Sequence, residues 1–260
     1  MLPTVIIKRM SMSTSELLLL PINTVLGGKK RRDNIPYGPG DHMVYDEYPS
    51  TTSAAPLVIF WYGGGWKNGR KEMYRFVGHA LQQMGAHAFV LDYPKYPVRT
   101  YPGFLDDAVA AVTNIKGRHP GRKIILMGHS AGGHTALLLG LRRLVQVDSA
   151  VTISAPCTIN ERYWRPVFGD AIKKGLTDPR NYVEGSPRDL STLLIHGSKD
   201  TTVNVHDSVT LHEKLQAHGR KSQLDILNNL DHMLILPLIM LGLVPGARKR
   251  LARHLEQYAN

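Results

Sequence analysis

A serine placed between glycines at the end of an apolar run most strongly limits how this chain can fold. The segment Gly128-His129-Ser130-Ala131-Gly132 directly follows a β-favouring run at residues 123–127, and the small residues after it can begin a helix. A turn this tight strains the backbone at the serine and accepts only small neighbours two residues away. The pattern therefore predicts a nucleophile elbow, which exposes the Ser130 hydroxyl at the amino end of a helix.

A run of three glycines follows another buried strand, which is expected at residues 57–61. Consecutive glycines leave backbone N–H groups unencumbered, as an oxyanion hole requires. A merely flexible turn would not need the tryptophans that flank this run at positions 61 and 66. We therefore expect the N–H groups of Gly64, Gly65 and Ala131 to form an oxyanion hole.

A carboxylate and an imidazole follow the serine in chain order. Asp200 follows a predicted strand at residues 191–196, and His232 follows another at residues 222–227. Both would lie in loops at the sheet edge that carries Ser130, in the order serine, acid, histidine. The alternatives are weaker by position: His206 precedes a helix, Asp231 adjoins His232 and diverges from its ring, and Asp225 lies within a strand.

These motifs, with residues 92–97 and 101–107, resemble the α/β-hydrolase superfamily. The likeness is to the esterase/lipase branch with an HGGG- or HGGxW-type oxyanion motif, near small bacterial carboxylesterases, feruloyl-esterase-like enzymes and kynurenine formamidases. It runs from about Ile35 to the carboxyl terminus. The resemblance implies Ser130 as nucleophile, His232 as base and Asp200 as acid. Tyr62 stands where the superfamily usually has a histidine that supports the oxyanion loop and takes no part in the chemistry, so catalysis is expected to survive this difference; how the loop is anchored is left open.

The remaining pattern alternates strands and helices. Further strands are predicted at residues 41–48, 86–92 and 147–154, and helices at residues 71–84, 104–116, 207–217 and 247–258. Such alternation predicts an α/β-hydrolase fold with a mostly parallel central sheet and helices on both faces. Residues 1–34 are expected to form an amino-terminal arm or cap-like extension, and residues 35–260 the catalytic domain.

Composition limits the compartment and the partners. The 260 residues suit a single α/β domain, and the lone Cys157 excludes an internal disulfide and favours the cytoplasm over secretion. The formal net charge is +11, but the basic residues are not interleaved with aromatic residues, so no nucleic-acid partner is expected. The apolar run at residues 233–244 is interrupted by a proline and too short to span a membrane; we expect it to fill the core, or alternatively to line an acyl pocket.

The function implied by the resemblance is hydrolysis of small carboxylic esters with short or medium acyl or aryl groups. Arylformamidase activity and a non-catalytic binding protein on the same fold are the alternatives. Substrate contacts are expected from Trp66, His129 and Trp164. Neither a histidine–carboxylate cluster nor paired cysteines appear at ligand spacing, so no metal or other cofactor is expected. The oligomeric state is left open.

Overall fold

The computed structural model describes residues 31–259, and their strands form one eight-stranded sheet. In chain order the strands are β1 Arg32–Pro36, β2 Val44–Tyr48, β3 Leu57–Trp61, β4 His87–Leu91, β5 Ile124–His129, β6 Ser149–Ile153, β7 Ser191–Gly197 and β8 Lys221–Leu227. Their order across the sheet is β1-β2-β4-β3-β5-β6-β7-β8. Strands β3 to β8 pair in parallel, and β1 and β2 pair antiparallel at one edge. The predicted, mostly parallel sheet is confirmed.

The first strand begins inside the predicted amino-terminal extension. Residues 32–34 belong to β1, where Arg32 pairs with Glu47. Arg32–Pro36 is largely exposed at the sheet edge and carries no apolar alternation to mark it as a strand. Residues 1–30 of that extension lie outside the described residues.

Seven helices accompany the strands over residues 31–259. They are α1 Arg75–Gln83, α2 Gly103–Arg118, α3 Ala131–Leu141, α4 Glu161–Phe168, α5 Val205–Ala217, α6 Ile235–Met240 and α7 Pro245–Glu256. Every residue of strands β3 to β6 is buried. Because successive side chains point to opposite faces of a sheet, complete burial means that both faces are covered, as predicted.

Two segments differ in detail from the sequence predictions. The helix expected at residues 71–84 begins as a 3₁₀ turn at Lys71–Tyr74 before α1. The helix expected from residue 207 begins at Val205, because the Asn204 side chain accepts a hydrogen bond from the His206 amide and caps it.

The apolar run at residues 233–244 mainly fills the core. Helix α6 buries Ile235, Leu236 and Ile239, whereas Met233 and Leu243 are exposed at its ends. Within residues 31–259, none of the helices is long and apolar enough to cross a membrane.

The two glycines around Ser130 let helix α3 sit against the sheet. A Cβ at Gly132 would lie 2.1 Å from the Trp61 carbonyl oxygen, and one at Gly128 would lie 2.2 Å from the Gly132 carbonyl carbon. Both obstacles are backbone atoms, which cannot rotate away as a side chain can. The small neighbours predicted for the elbow are therefore required by the close approach of strand and helix.

Gly132→Ala is expected to destabilise the protein by several kcal/mol, the range for overpacking against fixed atoms, about 1–3 kcal/mol or more. Gly117→Ala is the matched control, because an added Cβ there meets nothing within 4 Å and the site is helical. It should be neutral or stabilise by up to about 1 kcal/mol. Urea unfolding followed by circular dichroism measures both; equal stability of the two variants would contradict the close packing described here.

Candidate active site

Four loops that follow parallel strands meet at one edge of the sheet. The glycine loop follows β3, Ser130 follows β5, Asp200 follows β7, and His232 comes after β8. The carboxyl ends of parallel strands share one edge, and crevices outside these ends are the usual ligand sites of open α/β sheets. The chain order predicted from the sequence therefore brings the three side chains to a common place.

Ser130 has the strained backbone that the elbow pattern predicts. Its φ of 52° and ψ of −122° lie in a region that residues other than glycine rarely adopt. The Ser130 amide donates to the Ile153 carbonyl at 2.9 Å, which ties the turn to the neighbouring strand β6. Ser130 borders a large cavity.

His232 bridges Ser130 and Asp200. Its Nε2 is 2.9 Å from the Ser130 Oγ, and its Nδ1 is 2.7 Å from the Asp200 Oδ2. One tautomer satisfies both contacts: Nδ1–H donates to the carboxylate, and Nε2 accepts from the hydroxyl. The imidazole is thus set to receive the serine proton.

Asp200 is held ionised although its side chain is fully buried. Burial by itself would raise the pKa of Asp200, but hydrogen bonds from His196 and His232 and from the Val203 amide lower it far below its usual value. The Oδ1 atom accepts from the amides of Thr202 and Val203 at 2.9 and 2.8 Å. The carboxylate therefore has a fixed orientation, with Oδ2 directed at His232.

His196 was not anticipated from the sequence. Its Nε2 lies 3.3 Å from the Asp200 Oδ2 and 3.1 Å from the Val203 carbonyl, while its Nδ1 contacts the Ser208 hydroxyl at 2.8 Å. As the penultimate residue of β7, it reaches the loop immediately following its own strand. Its position four residues before Asp200 is the one sequence signal that could have suggested this contact.

His129, a predicted substrate contact, borders the cavity but is largely buried. Its Nε2 donates to the His232 carbonyl at 3.0 Å, so the side chain supports the loop that carries His232. Burial, reinforced by the neighbouring His232, lowers the pKa of His129 to about 3. A neutral ring at this position adds no positive charge that would oppose protonation of His232.

The glycine loop passes directly over the elbow. A Cβ at Gly63 would lie 3.0 Å from the Ser130 Cβ, which places this backbone in contact distance of the serine. Gly64 and Gly65 follow with φ of 121° and 61° and line the cavity. The amides of the first helical turn, beginning with Ala131, have no partners within the helix. Donors from both elements thus border the space beside the hydroxyl.

Tyr62 anchors this loop. Its hydroxyl contacts the Asp92 Oδ1 closely and receives a hydrogen bond from the Lys95 ammonium at 2.9 Å. Its ring stacks between Tyr74 and Tyr93, with centroids 5.1 and 4.8 Å away. Burial, the largest cause, raises the pKa of Tyr62 well above its ordinary value, so the phenol stays protonated and donates to Asp92. The tyrosine thus fixes the start of the loop by bonding to a buried carboxylate.

Tyr62→Phe is expected to lower the free energy of unfolding by about 1.5–3 kcal/mol, the range for a lost hydrogen bond to a charged group. Tyr163→Phe is the control, since Tyr163 is 64% exposed and loses little by the same change. Urea unfolding of the two variants beside the wild type tests this. A Tyr62→Phe protein as stable as Tyr163→Phe would mean that the phenol does not anchor the loop.

The cavity in front of Ser130 measures about 870 Å³. Its wall contains both apolar or aromatic groups and polar groups. The former include Trp66, Tyr74, Ile159, Tyr163, Trp164 and Met233, and the latter include Asn68, Asn160, Arg180, Asn204 and His206. A volume of this size is within the usual range for small-molecule sites.

The two predicted tryptophan contacts occupy different environments. Trp66 is only 3% exposed and packs edge-on against Trp164, Phe168 and His134. Trp164 is less buried, and the Lys67 ammonium lies 5.2 Å from the centre of its ring. Trp66 is therefore mainly a packed part of the wall, and Trp164 presents more surface to a bound molecule.

The residues considered as alternatives to Asp200 and His232 lie elsewhere or have other partners. The Asp231 Oδ1 accepts from the amides of Met233 and Leu234, and Asp225 forms an ion pair with Arg250. His206 lines the cavity at the start of α5. Cys157 is buried and packs in a hydrophobic cluster, as expected for a small core residue.

Comparisons with known proteins agree with this architecture. The BD-FAE family model matches residues 45–161. Versiconal hemiacetal acetate esterase of Aspergillus parasiticus is 33% identical over 117 residues, 43% of this chain and 37% of that protein. An isoprenylcysteine alpha-carbonyl methylesterase of Arabidopsis thaliana is 28% identical over 247 residues, 78% of this chain and 57% of that protein. The chain thus spans between one third and three fifths of the length of these relatives.

Two other matches extend along most of both chains. Kynurenine formamidase of Danio rerio is 25% identical over 250 residues, covering 86% of this chain and 85% of that protein. A solved carbohydrate esterase from gut microbiota, 18% identical, superposes with a TM-score of 0.77 over 90% of this chain and 98% of that one. At that identity the structural match shows the fold alone.

The sheet order, the elbow and the structural match define an α/β-hydrolase fold. The sequence relatives include proteins named as esterases and a formamidase, so the chain is similar to esterase-related proteins on this fold.

Proposed function

We propose that this protein is a serine hydrolase that cleaves carboxylic esters. The observation that carries the proposal is the continuous line from the Ser130 hydroxyl through His232 to Asp200, with contacts of 2.9 and 2.7 Å, opening into a cavity. An isolated serine would be a weak nucleophile at neutral pH, and an adjacent base is the usual means of activating it.

In the proposed reaction, the Ser130 Oγ attacks the ester carbonyl carbon while His232 Nε2 takes its proton. The amides of Gly64, Gly65 and Ala131 would stabilise the oxyanion that develops, and Asp200 would stabilise the imidazolium. His232 then gives the proton to the leaving alkoxide, and an alcohol departs from the acyl-enzyme. Water then attacks the acyl carbon while His232 takes its proton, and His232 returns this proton to the Ser130 Oγ as the bond from Oγ to the acyl carbon breaks and the acid departs.

The cavity supports small esters with short or medium acyl groups or aryl groups. Its volume of about 870 Å³ and its aromatic wall, including Trp164 and Tyr163, fit substrates of moderate size. Trp66 and His129 are proposed to shape this site mainly by their packing, and Trp164 by contact with substrate. The related proteins include several named as esterases, which supports the same reaction class.

Arylformamidase activity is the second candidate, because the likeness to kynurenine formamidase extends along most of both chains. It would use the same serine, histidine and aspartate on an N-formyl amide. A purely binding role has less support, since the hydroxyl, the imidazole and the carboxylate are all present and hydrogen-bonded.

The test compares kcat/KM for p-nitrophenyl acetate, butyrate and octanoate with that for N-formylkynurenine. We expect the acetate and butyrate esters to be hydrolysed faster than the octanoate and the formamide. Preference for the formamide would assign the second candidate, and turnover that falls as the acyl chain shortens would contradict the proposed substrate range. No turnover of either class would favour a binding role.

A further inference from the structure

A second group of ionisable side chains lies away from the cavity. Glu47 of β2, His87 of β4 and His119, just after α2, place one oxygen and two nitrogens within 4.8 Å of one another. The Glu47 Oε1 is 2.8 Å from the His87 Nε2 and 3.8 Å from the His119 Nε2. Glutamate and histidine supply the donor atoms that zinc-type divalent ions prefer.

This group lies at the end of the sheet opposite Ser130. His87 is the first residue of β4, whereas Ser130 follows the last residue of the parallel strand β5. Helix α2 ends at Arg118, so His119 joins the group from the helix layer. None of the three residues borders the cavity described above. A ligand held here would therefore be separate from the proposed ester site.

His119 is incompletely satisfied. Its Nε2 is shielded from solvent and has no hydrogen-bond partner among the described residues, and the side chain as a whole is 18% exposed. The group thus offers a glutamate oxygen and a ring nitrogen that has no hydrogen bond of its own.

We propose that Glu47, His87 and His119 bind a zinc-type divalent metal ion. A tetrahedral ion about 2.0–2.1 Å from each donor requires donor atoms roughly 3.3 Å apart, and the observed separations of 2.8 and 3.8 Å bracket this value. The ion replaces the hydrogen bond between the Glu47 Oε1 and the His87 Nε2. His87 then binds the ion through Nε2 and carries its ring hydrogen on Nδ1.

The expected consequence is a stabilising link between β2, β4 and the end of α2. The free glutamate oxygen, Oε2, keeps its contact with Arg32 at 3.5 Å, which leaves Oε1 for the metal. Because the ion would bind the folded chain and not a preformed site in the unfolded one, its binding raises the stability of the folded state.

The test measures zinc binding to the full chain after EDTA treatment and removal of the chelator. We expect about one equivalent of Zn²⁺ to bind with micromolar or tighter affinity by calorimetry, and Co²⁺ to give the visible absorption of a four-coordinate site. His119→Gln and Glu47→Gln should each weaken Zn²⁺ binding by at least about tenfold. His218→Gln is the control, because the His218 side chain is exposed and forms its hydrogen bond with the Lys214 carbonyl at the end of α5.

The melting temperature in EDTA and in Zn²⁺ completes the test. The ion should raise the melting temperature of the wild type and of His218→Gln, and raise it less in His119→Gln and Glu47→Gln. Circular dichroism in EDTA confirms that each variant is folded. Absence of Zn²⁺ binding to the wild type at about 100 µM would overturn the proposal. So would unchanged affinity in both ligand variants, because the ion would then be held elsewhere, for example by His232 and Asp200.

Discussion

Ser130→Ala is expected to lower kcat for ester hydrolysis by at least about 10⁴-fold, the scale of loss when a nucleophile of this kind is removed. The Ser130 Oγ is the atom that would bond to the acyl carbon, and it contacts the His232 Nε2 at 2.9 Å. With alanine, His232 retains Asp200 but has no hydroxyl to deprotonate. Steady-state hydrolysis of p-nitrophenyl acetate measures the loss.

Two further measurements separate this loss of chemistry from a loss of structure. Alanine meets the same backbone strain at φ 52° as serine does, so the free energy of unfolding should change little. A phosphonate ester should add one label to the wild type and none to Ser130→Ala, as mass spectrometry would show. Ser222→Ala removes a hydroxyl that contacts His212 and should keep wild-type turnover and labelling. Wild-type turnover by Ser130→Ala would refute the proposed mechanism.

The strand ends and the elbow could be predicted because their signals are local. Apolar runs of about five residues mark β3 and β5. Gly128 and Gly132, on either side of the serine, indicate the close approach of strand and helix, in which Gly132 lies against the Trp61 carbonyl. The edge strand β1 lacked such a run, since four of its five residues are exposed. Residues 32–34 of this strand therefore fall within the predicted amino-terminal extension.

Local sequence pattern alone could not predict which residues come together at the site. Chain order and loop position were enough to nominate Asp200 and His232, and the sheet order then places their loops beside Ser130. The supporting contacts made by His129 and His196 were not predictable, because each depends on how a neighbouring loop turns back onto a strand end.

Long-range groupings were the hardest to predict. Glu47, His87 and His119 are separated by tens of residues, yet the antiparallel pairing of β2 with β4 brings the first two together. No short ligand spacing in the sequence marks these three residues as a group. The burial of Trp66 among other aromatic rings was missed for a similar reason, since those rings come from distant segments.

Asp200→Asn is expected to lower kcat by about 10⁴-fold while the protein remains folded. The amides of Thr202 and Val203 donate to Oδ1, so the asparagine must place its carbonyl oxygen there. Its NH₂ group then occupies the place of Oδ2, facing His232 Nδ1. That nitrogen becomes an acceptor, and Nε2 carries the hydrogen. In this tautomer His232 cannot take the proton of Ser130.

The pH profile distinguishes this cause from a simple loss of packing. In the wild type the low pKa of Asp200 keeps the carboxylate charged at and below neutral pH, so it can stabilise an imidazolium at His232. Without that charge the imidazolium forms less readily, and the acid limb of the kcat/KM profile should move to lower pH. If Asp200→Asn lost activity but kept its acid limb at the same pH as the wild type, this electrostatic role would be contradicted.

Asp231→Asn is the matched control and separates the two candidate acids. Asp231 adjoins His232, but its Oδ1 accepts from the amides of Met233 and Leu234, a cap that an asparagine oxygen can also form. We therefore expect Asp231→Asn to retain turnover within a few-fold of the wild type and to keep its acid limb in place. If Asp231→Asn were the variant that lost activity, the carboxylate partner of His232 would have to be reassigned. We expect Asp200 to keep this role, because the two backbone amides that donate to its Oδ1 hold its Oδ2 towards His232.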